Sequence, residues 1–348
     1  MDTWVLTRDD IGQVLNAYGV DKFMNYMIDT LEQGFAELGH GSRTGSPPRS
    51  GFSRSGEIPG IIETMPHRES GRSVTIKTVS YSPRNIIDHQ LPTILATIAR
   101  VDDDTGRLVS LCDGVLLTAV RTGAASALAT KLLAKPGSQT VGLIGTGAQA
   151  VTQLHGLNQV IDIRRVIVTD INPRHTASFA DRVALLGLPI EVTDVATVLR
   201  ESDVICTATS VGVGEGPVFT DGEHRPHLHI NSVGADEVGK FELPVSLLRR
   251  AVVCFDHHEQ ARHEGECQQL NDDEMGPSLA HLCAHPHEAA IHQDELTVFD
   301  STGVAMEDHL ALDVLFEMAN ELGLGSRLPI EGRPSDLLDP YSLAGLAR

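Results

Sequence analysis

An α/β fold is what this sequence predicts, and three observations predict it. Residues 140–170, TVGLIGTGAQAVTQLHGLNQVIDIRRVIVTD, read as strand, glycine turn, helix and strand. Helix and strand signals go on alternating from there to about residue 322. Ahead of them, residues 61–114 carry four runs of alternating apolar residues split by turn signals, the pattern of antiparallel strands.

Length and charge bound what such a fold can serve. The 348 residues suggest two domains and can bury a large core. A net charge of −20 argues against nucleic acid or an anionic membrane as partner, since either demands a basic surface. No apolar run is long enough to span a bilayer, and MDTWVLTRDD lacks the apolar stretch of a secretion signal. The five cysteines (Cys112, Cys206, Cys254, Cys267, Cys283) contain no C-x-x-C pair and read as small buried hydrophobes in a reducing compartment. The reading is a soluble cytoplasmic protein without internal repeats.

In chain order, Trp4 to Leu6 is a short strand, Asp9-Asp10 caps a first helix, and a second helix runs from about Asp21 to Leu38. The Gly-, Ser- and Pro-rich segment 41–51 reads as a surface linker. IIETMP, SVTIKTVSYS, TILATIARVD and RLVSLCDG follow as strands, with Asp104-Thr105-Gly106 as a hairpin signal. Glu63, Lys77 and Arg121 are charges placed inside this strand block. Such residues ordinarily face solvent; the alternative is a polar pocket. After Arg121-Thr122-Gly123 an Ala-rich helix (Ala124 to Leu133) leads through Pro136-Gly137 into the strand at Val141. Beyond Asp170 come a helix from Asn172-Pro173 to about Leu186, a strand at Ile190 and a helix from Val195 to Arg200. Strands at 204–208, 228–233, 251–256 and 296–299 follow, then a helix from about Ala305 to Leu322 and an irregular tail after Gly325.

The glycine turn is where chemistry enters. Gly145-Thr146-Gly147-Ala148-Gln149-Ala150 fits G-x-G-x-x-A behind a strand. Gly145 permits the tight turn, Gly147 lets backbone amides approach a pyrophosphate, and Ala150 lets the helix pack closely. The helix start offers unpaired N–H groups to the phosphates. Asp170, ending the next strand without an adjacent arginine, can accept from both ribose hydroxyls and repels a 2′-phosphate, which selects NAD over NADP. Open α/β sheets bind ligands outside the carboxyl ends of their strands, where Thr207-Ala208-Thr209-Ser210, Gly234-Ala235-Asp236 and 300–303 converge. Asp236 either caps the next helix or, beside a nicotinamide, moves protons at a bound substrate. His258 and His263 mimic a metal motif, but five residues apart they occupy different helix faces, and no metal is expected. Asp102-Asp103-Asp104 reads as a turn.

Together these segments resemble the ornithine cyclodeaminase/μ-crystallin family over nearly the whole chain. The resemblance rests on Pro48-Arg49, IIETMP around Glu63, VTIKTVS with Lys77, AVRTGAAS with Arg121, GTGAQA, CTATS, GADEVGKFELP with Asp236, and FDSTG. PHRESGRSVTIKTVSYSP, VDDDTG and VFDSTGVAMEDHLALDVL are similar in particular to the lysine-cyclising members of actinomycete secondary metabolism. The resemblance implies a Rossmann NAD-binding domain, 122–303, inserted into an α+β substrate-binding and dimerisation domain, 1–121 plus 304–348. It implies that Arg49, Lys77 and Arg121 face an amino acid's α-carboxylate, that Glu63 places an amino group, and that Asp236 is the catalytic aspartate. It places NAD against Thr93, Arg121, Thr122, Gly145, Thr146, Gly147, Ala148, Gln149, Asp170, Thr207, Ala208, Thr209, Ser210, Val233, Gly234, Ala235 and Ser301. The implied reaction turns L-lysine into L-pipecolate and ammonia in a homodimer. Hydride leaves Cα for NAD+, the distal amine closes the ring, and the same cofactor returns the hydride. Ornithine cyclisation, alanine dehydrogenase or ketimine reductase chemistry, and ligand binding without turnover stay open, since one methylene is worth only about 1–3 kcal/mol in a pocket.

Overall fold

The chain enters through β1 (Thr3–Leu6) and passes into α1 (Arg8–Tyr18), in a computed structural model that describes residues 2–54, 59–332 and 334–344. Thr7, not Asp9-Asp10, is the N-cap; it forms a reciprocal capping box with Asp10 that satisfies two orphan donors. Gly19 at φ 84° ends the helix before α2 (Val20–Gly39). On α2, Phe23, Met27, Leu31 and Phe35 recur at helical spacing and are all buried. Segment 41–51 is no loose linker. Ser46 is buried with its hydroxyl 3.0 Å from His67 Nδ1, and the chain then enters β2 (Ser50–Arg54).

An antiparallel meander follows: β3 (Gly60–Glu69), β4 (Ser73–Tyr81), β5 (Ile94–Asp102) and β6 (Leu108–Asp113), with α3 (Asn85–His89) between β4 and β5. Met65 pairs with Lys77 and Lys77 with Ile98, so the two-residue alternation puts Glu63, Met65 and Lys77 on one face. The strand-like VLLTAVRTG is instead the first half of α4 (Val115–Leu133), so Arg121 stands on a helix and not in a strand. Leu117, Val120, Ala124 and Leu128 explain the outcome: they are buried at helical spacing, and that face outweighs β-branched propensity.

β7 (Thr140–Ile144), α5 (Ala148–Val160), β8 (Arg165–Thr169), α6 (Pro173–Arg182), β9 (Ile190–Val192), α7 (Val195–Glu201) and β10 (Val204–Thr207) then alternate as expected. β11 (His229–Ser232), α8 (Val245–Leu248) and β12 (Val252–Phe255) come next. The short helices α9 (His258–Glu264), α10 (Leu279–Ala284) and α11 (Pro286–Ala289) precede β13 (Thr297–Asp300) and the long α12 (Ala305–Glu321). The tail is not wholly irregular. β14 (Ser326–Leu328) runs antiparallel to β1, and Trp4 Nε1 donates to Leu324 O at 3.0 Å. Its end, 345–348, lies outside the described residues.

Two seven-stranded sheets result, ordered β14-β1-β6-β5-β4-β3-β2 and β12-β13-β11-β10-β7-β8-β9. All pairings in the second are parallel. Its strand order reverses between β7 and β10, which opens a crevice outside their carboxyl ends. One apolar core gathers Leu31 of α2, Leu128 of α4 and Leu315 of α12 with Ile98 of the first sheet and Phe299 of the second, and so joins the two sheets. No described helix is long and apolar enough to cross a membrane.

Candidate functional site

Gly145 leaves β7 at φ 90°, and a Cβ there would sit 2.6 Å from Ala208 O across the crevice. Gly147, the N-cap of α5, has no neighbour within 4 Å of a Cβ position, so the helix start faces open space. Behind it Ala148 opens the helix and Ala150 is buried. Asp170 Oδ2 accepts from Thr146 N at 2.7 Å and Thr146 Oγ1 at 3.0 Å, while Oδ1 accepts from Asn172 N at 2.8 Å. Arg182 of α6 donates to Thr146 O at 2.7 Å and Gly147 O at 3.3 Å. An arginine therefore does neighbour the loop in space, with its guanidinium engaged by carbonyls. Thr122 and Gln149 tie α4 to α5: Thr122 O accepts from Gln153 Nε2 at 3.3 Å, and Gln149 Nε2 donates to Ala119 O at 3.2 Å. Thr93 lies just before β5, its carbonyl accepting Ser82 N–H at 2.8 Å.

The strand ends are held by an acid that the sequence reading passed over. Glu242, fully buried, accepts from Thr207 Oγ1 at 2.6 Å, Thr209 N at 2.7 Å and Gly234 N at 2.8 Å. Glu266 Oε1 in turn accepts from Glu242 N and Ser232 Oγ, at 2.7 and 2.9 Å. Asp300 accepts from Glu266 N at 2.9 Å. Burial pushes the Asp300 carboxyl up to about 7 and that of Glu266 well above its usual range. This scaffold fixes Val233, Ala235 and the exposed Ser210 beside the switch point. Ser301 Oγ is buried without a hydrogen-bond partner among the described residues. Open space over Gly147, an acid at the ribose position and an unpartnered hydroxyl at the far strand all fit a dinucleotide.

Past β13 the charges gather. Arg49 Nε lies 2.8 Å from Glu264 Oε1 and its Nη1 3.4 Å from Glu63 Oε2. Its Nη2 donates to the carbonyls of Thr302 and Gly303. A Cβ on Gly303 would fall 2.4 Å from Arg121 Nη1, so glycine is what lets a second guanidinium reach the same loop. Arg121 meets Glu307 at 2.6 Å and Asp308 at 3.3 Å, both in the first turn of α12, where the helix dipole favours acids. Lys77 Nζ is 2.7 Å from the other oxygen of Asp308. Burial, then the Arg121 charge, brings Lys77 down to about 8; burial pushes Glu307 up to about 7. The solvent-facing reading of the strand charges thus fails for Lys77 and Arg121, both buried.

Asp236, half-buried, pairs with Lys240 Nζ at 3.1 Å, and its charge is felt at Glu63 and Glu264. Glu264 was not foreseen. It closes the HEQARHE helix with its carboxyl on Arg49, and burial raises it to about 7. Only its position in the last turn distinguishes it from Glu259, which is exposed. Of the histidines beside it, His257 caps α9 by accepting from Gln260 N and bonds Ser46 O at 2.9 Å. Asp102 accepts from Thr105 N at 2.9 Å and Asp103 pairs with Arg68, as a turn requires.

Fold and site define an α/β dinucleotide-binding protein with a charge-lined second site beside the nucleotide crevice. The chain belongs to the ornithine cyclodeaminase/mu-crystallin family, whose profile matches residues 9–323. It is 55% identical over 343 residues to the L-lysine cyclodeaminase of Streptomyces rapamycinicus, spanning 99% of this chain and 100% of that one. A solved lysine cyclodeaminase, described for its recognition of L-lysine, L-ornithine and L-2,4-diaminobutyric acid, superposes with a TM-score of 0.97 at 58% identity, over 99% of this chain and 100% of the other. An archaeal alanine dehydrogenase dimer with bound NAD superposes at 0.83 and 28% identity, over 95% and 100% of the two chains.

Proposed function

We propose that this protein is an NAD-dependent L-lysine cyclodeaminase that forms L-pipecolate and ammonia. The observation that carries the reading is the charge layout: Arg49 bridges the acids Glu63 and Glu264, Lys77 and Arg121 gather at the start of α12, and Asp236 pairs with Lys240. A diamino acid brings one carboxylate and two ammonium groups and answers both. Alanine brings only one ammonium and has no second one to meet Glu264. The 55% identity to a lysine cyclodeaminase supports the same choice.

Arg49 and Arg121 grip the α-carboxylate with planar donor pairs, and Lys77 adds a point charge. Glu63, steered by Arg49, and Asp236, anchored by Lys240, accept and return protons at the α-nitrogen and at the ring-closing nitrogen. Glu264, ionised above about pH 7, holds the distal ammonium until it must lose its proton. Bound NAD+ supplies the hydride acceptor and donor at Cα. Residues 145–149, Asp170, the 207–210 and 233–235 strand ends and Ser301 would hold it, on the carboxylate scaffold of Glu242 and Glu266. Ornithine fits the same machinery with one methylene fewer.

We further read 1–121 with 304–348 as the substrate-binding and dimerisation half, and 122–303 as the Rossmann half. A homodimer is supported by the outer face of the first sheet, where register pairs Phe52 with Ile62 and puts Ile76 on the same face; they are 77%, 39% and 36% exposed. The five free cysteines accord with the cytoplasm. The test is incubation with L-lysine and a substoichiometric amount of NAD, with product read by mass spectrometry. Pipecolate should exceed NAD without NADH accumulating. NADH growing in step with product would reject the cyclodeaminase in favour of a dehydrogenase.

A further inference from the structure

A second cluster of chemically capable side chains lies away from the charged site, where α10 meets α11. Ser278 caps α10 by accepting from His281 N at 3.1 Å, which starts the helix so that His281 and the C-cap His285 fall four residues apart on one face. Their rings stack with centroids 4.6 Å apart. Glu288 of α11 places Oε2 2.7 Å from His281 Nε2. One ligand atom from each of the three lies within 4.8 Å of the others.

The orientation of His285 adds an independent argument. Its Nδ1 is 3.1 Å from the carbonyl of His281, so Nδ1 carries the hydrogen and donates, leaving the lone pair on Nε2. A backbone carbonyl behind one ring nitrogen is the outer support that orients metal-bound histidines. Two further imidazoles flank the group: His40, just past α2, and His287, with ring centroids 5.8 and 6.3 Å from that of His285.

We propose that His281, His285 and Glu288 bind one divalent transition-metal ion of the zinc–nickel type. The two imidazoles are borderline nitrogen donors that favour those ions over magnesium or calcium, and a carboxylate is an accepted third ligand for them. The two histidine ligands stand in α10 and at its C-cap, so few degrees of freedom are lost on binding. Water, His40 or His287 completes the coordination, and the hydrogen bond between His281 and Glu288 gives way as both turn to the ion. The ion joins α10 to α11 at a point where α10 already presses on α2: a Cβ on Gly39 would lie 2.1 Å from Ala280 O. His281 also lines a cleft with Pro47, Pro48, Asp256 and His257, so the clamp sits behind the segment that delivers Arg49.

The test uses the full chain freed of any histidine tag. Titration calorimetry with zinc or nickel chloride alone should give one ion per chain, with a rise in melting temperature. His285→Ala and Glu288→Gln should each weaken binding by about tenfold or more, and the pair His281→Ala/His285→Ala should abolish both the binding and the melting shift. These side chains are partly exposed, and far-UV circular dichroism verifies that the variants fold. His258→Ala should bind as the wild type does. No binding by the wild type, or unchanged binding in the double variant, overturns the proposal.

Discussion

Asp308 holds two cations at once: Oδ2 lies 2.7 Å from Lys77 Nζ and Oδ1 lies 3.3 Å from Arg121 Nε, with all three side chains buried. Asp308→Asn removes the charge and keeps the shape. Lys77, already at about 8, should fall further, because Asp308 is what raises it against burial. A protonated Lys77 is needed for the substrate carboxylate, so kcat/KM should decline above about pH 8 in the wild type. In Asp308→Asn that limb should move to lower pH. An unmoved limb would show that another group titrates there. Unfolding by denaturant should report a loss of about 3–5 kcal/mol, since two buried cations lose a partner. The Lys77 contribution to stability has its own sign. Between about 8 and 10.5 the unfolded chain keeps the proton and the native one does not, so this contribution grows as pH rises.

Glu264→Gln tests the far end of the substrate. With its carboxyl raised to about 7, Glu264 is ionised only above that pH, and kcat/KM for lysine should drop on the acid side. The glutamine variant should lose that acid limb and raise KM by about tenfold, or about 1.4 kcal/mol. Steady-state rates across pH decide it; an intact acid limb would remove Glu264 from ammonium recognition.

Asp170 sets the nucleotide. Its carboxylate stands where a 2′-phosphate would arrive, and Arg182 is engaged by the carbonyls of Thr146 and Gly147. NAD should bind at least about tenfold more tightly than NADP, about 1.4 kcal/mol. Asp170→Ala should narrow that gap. Equal affinities in the wild type by calorimetry would contradict the assignment.

Asp236→Asn should keep the fold and NAD affinity while losing roughly 10²–10⁴-fold in turnover, because an amide cannot carry the proton away. Full activity in this variant would transfer the proton role to Glu63.

The nucleotide half was readable because strands buried on both faces appear as short apolar runs, and because Gly145 and Asp170 sit where the turn and strand chemistry require them. The VLLTAVRTG stretch misled for another reason: it follows directly on the strand of β6, and the helical spacing of Leu117, Val120, Ala124 and Leu128 shows only when it is read on into the Ala-rich run. β14 left no trace, since its three residues are all exposed and give no buried face to read. Glu242, Glu264 and Glu266 look like surface acids in their polar segments. What turns them inward is the meeting of strand ends far apart in sequence, which no local pattern encodes. Arg49, Lys77 and Arg121 were identified by family resemblance, whereas their residue types alone pointed to solvent.

The pairing of β14 with β1 has a consequence for how this protein is made. The strand that closes the edge of the first sheet is made after the whole parallel sheet that separates it from β1, and Trp4 must wait for Leu324. Through most of synthesis β1 therefore presents a bare hydrogen-bonding edge while the parallel sheet is assembled elsewhere in the chain. Only the arrival of β14 covers it. A nascent chain of this protein is thus open to wrong pairing at β1, and a truncation just after α12 would make that exposure permanent.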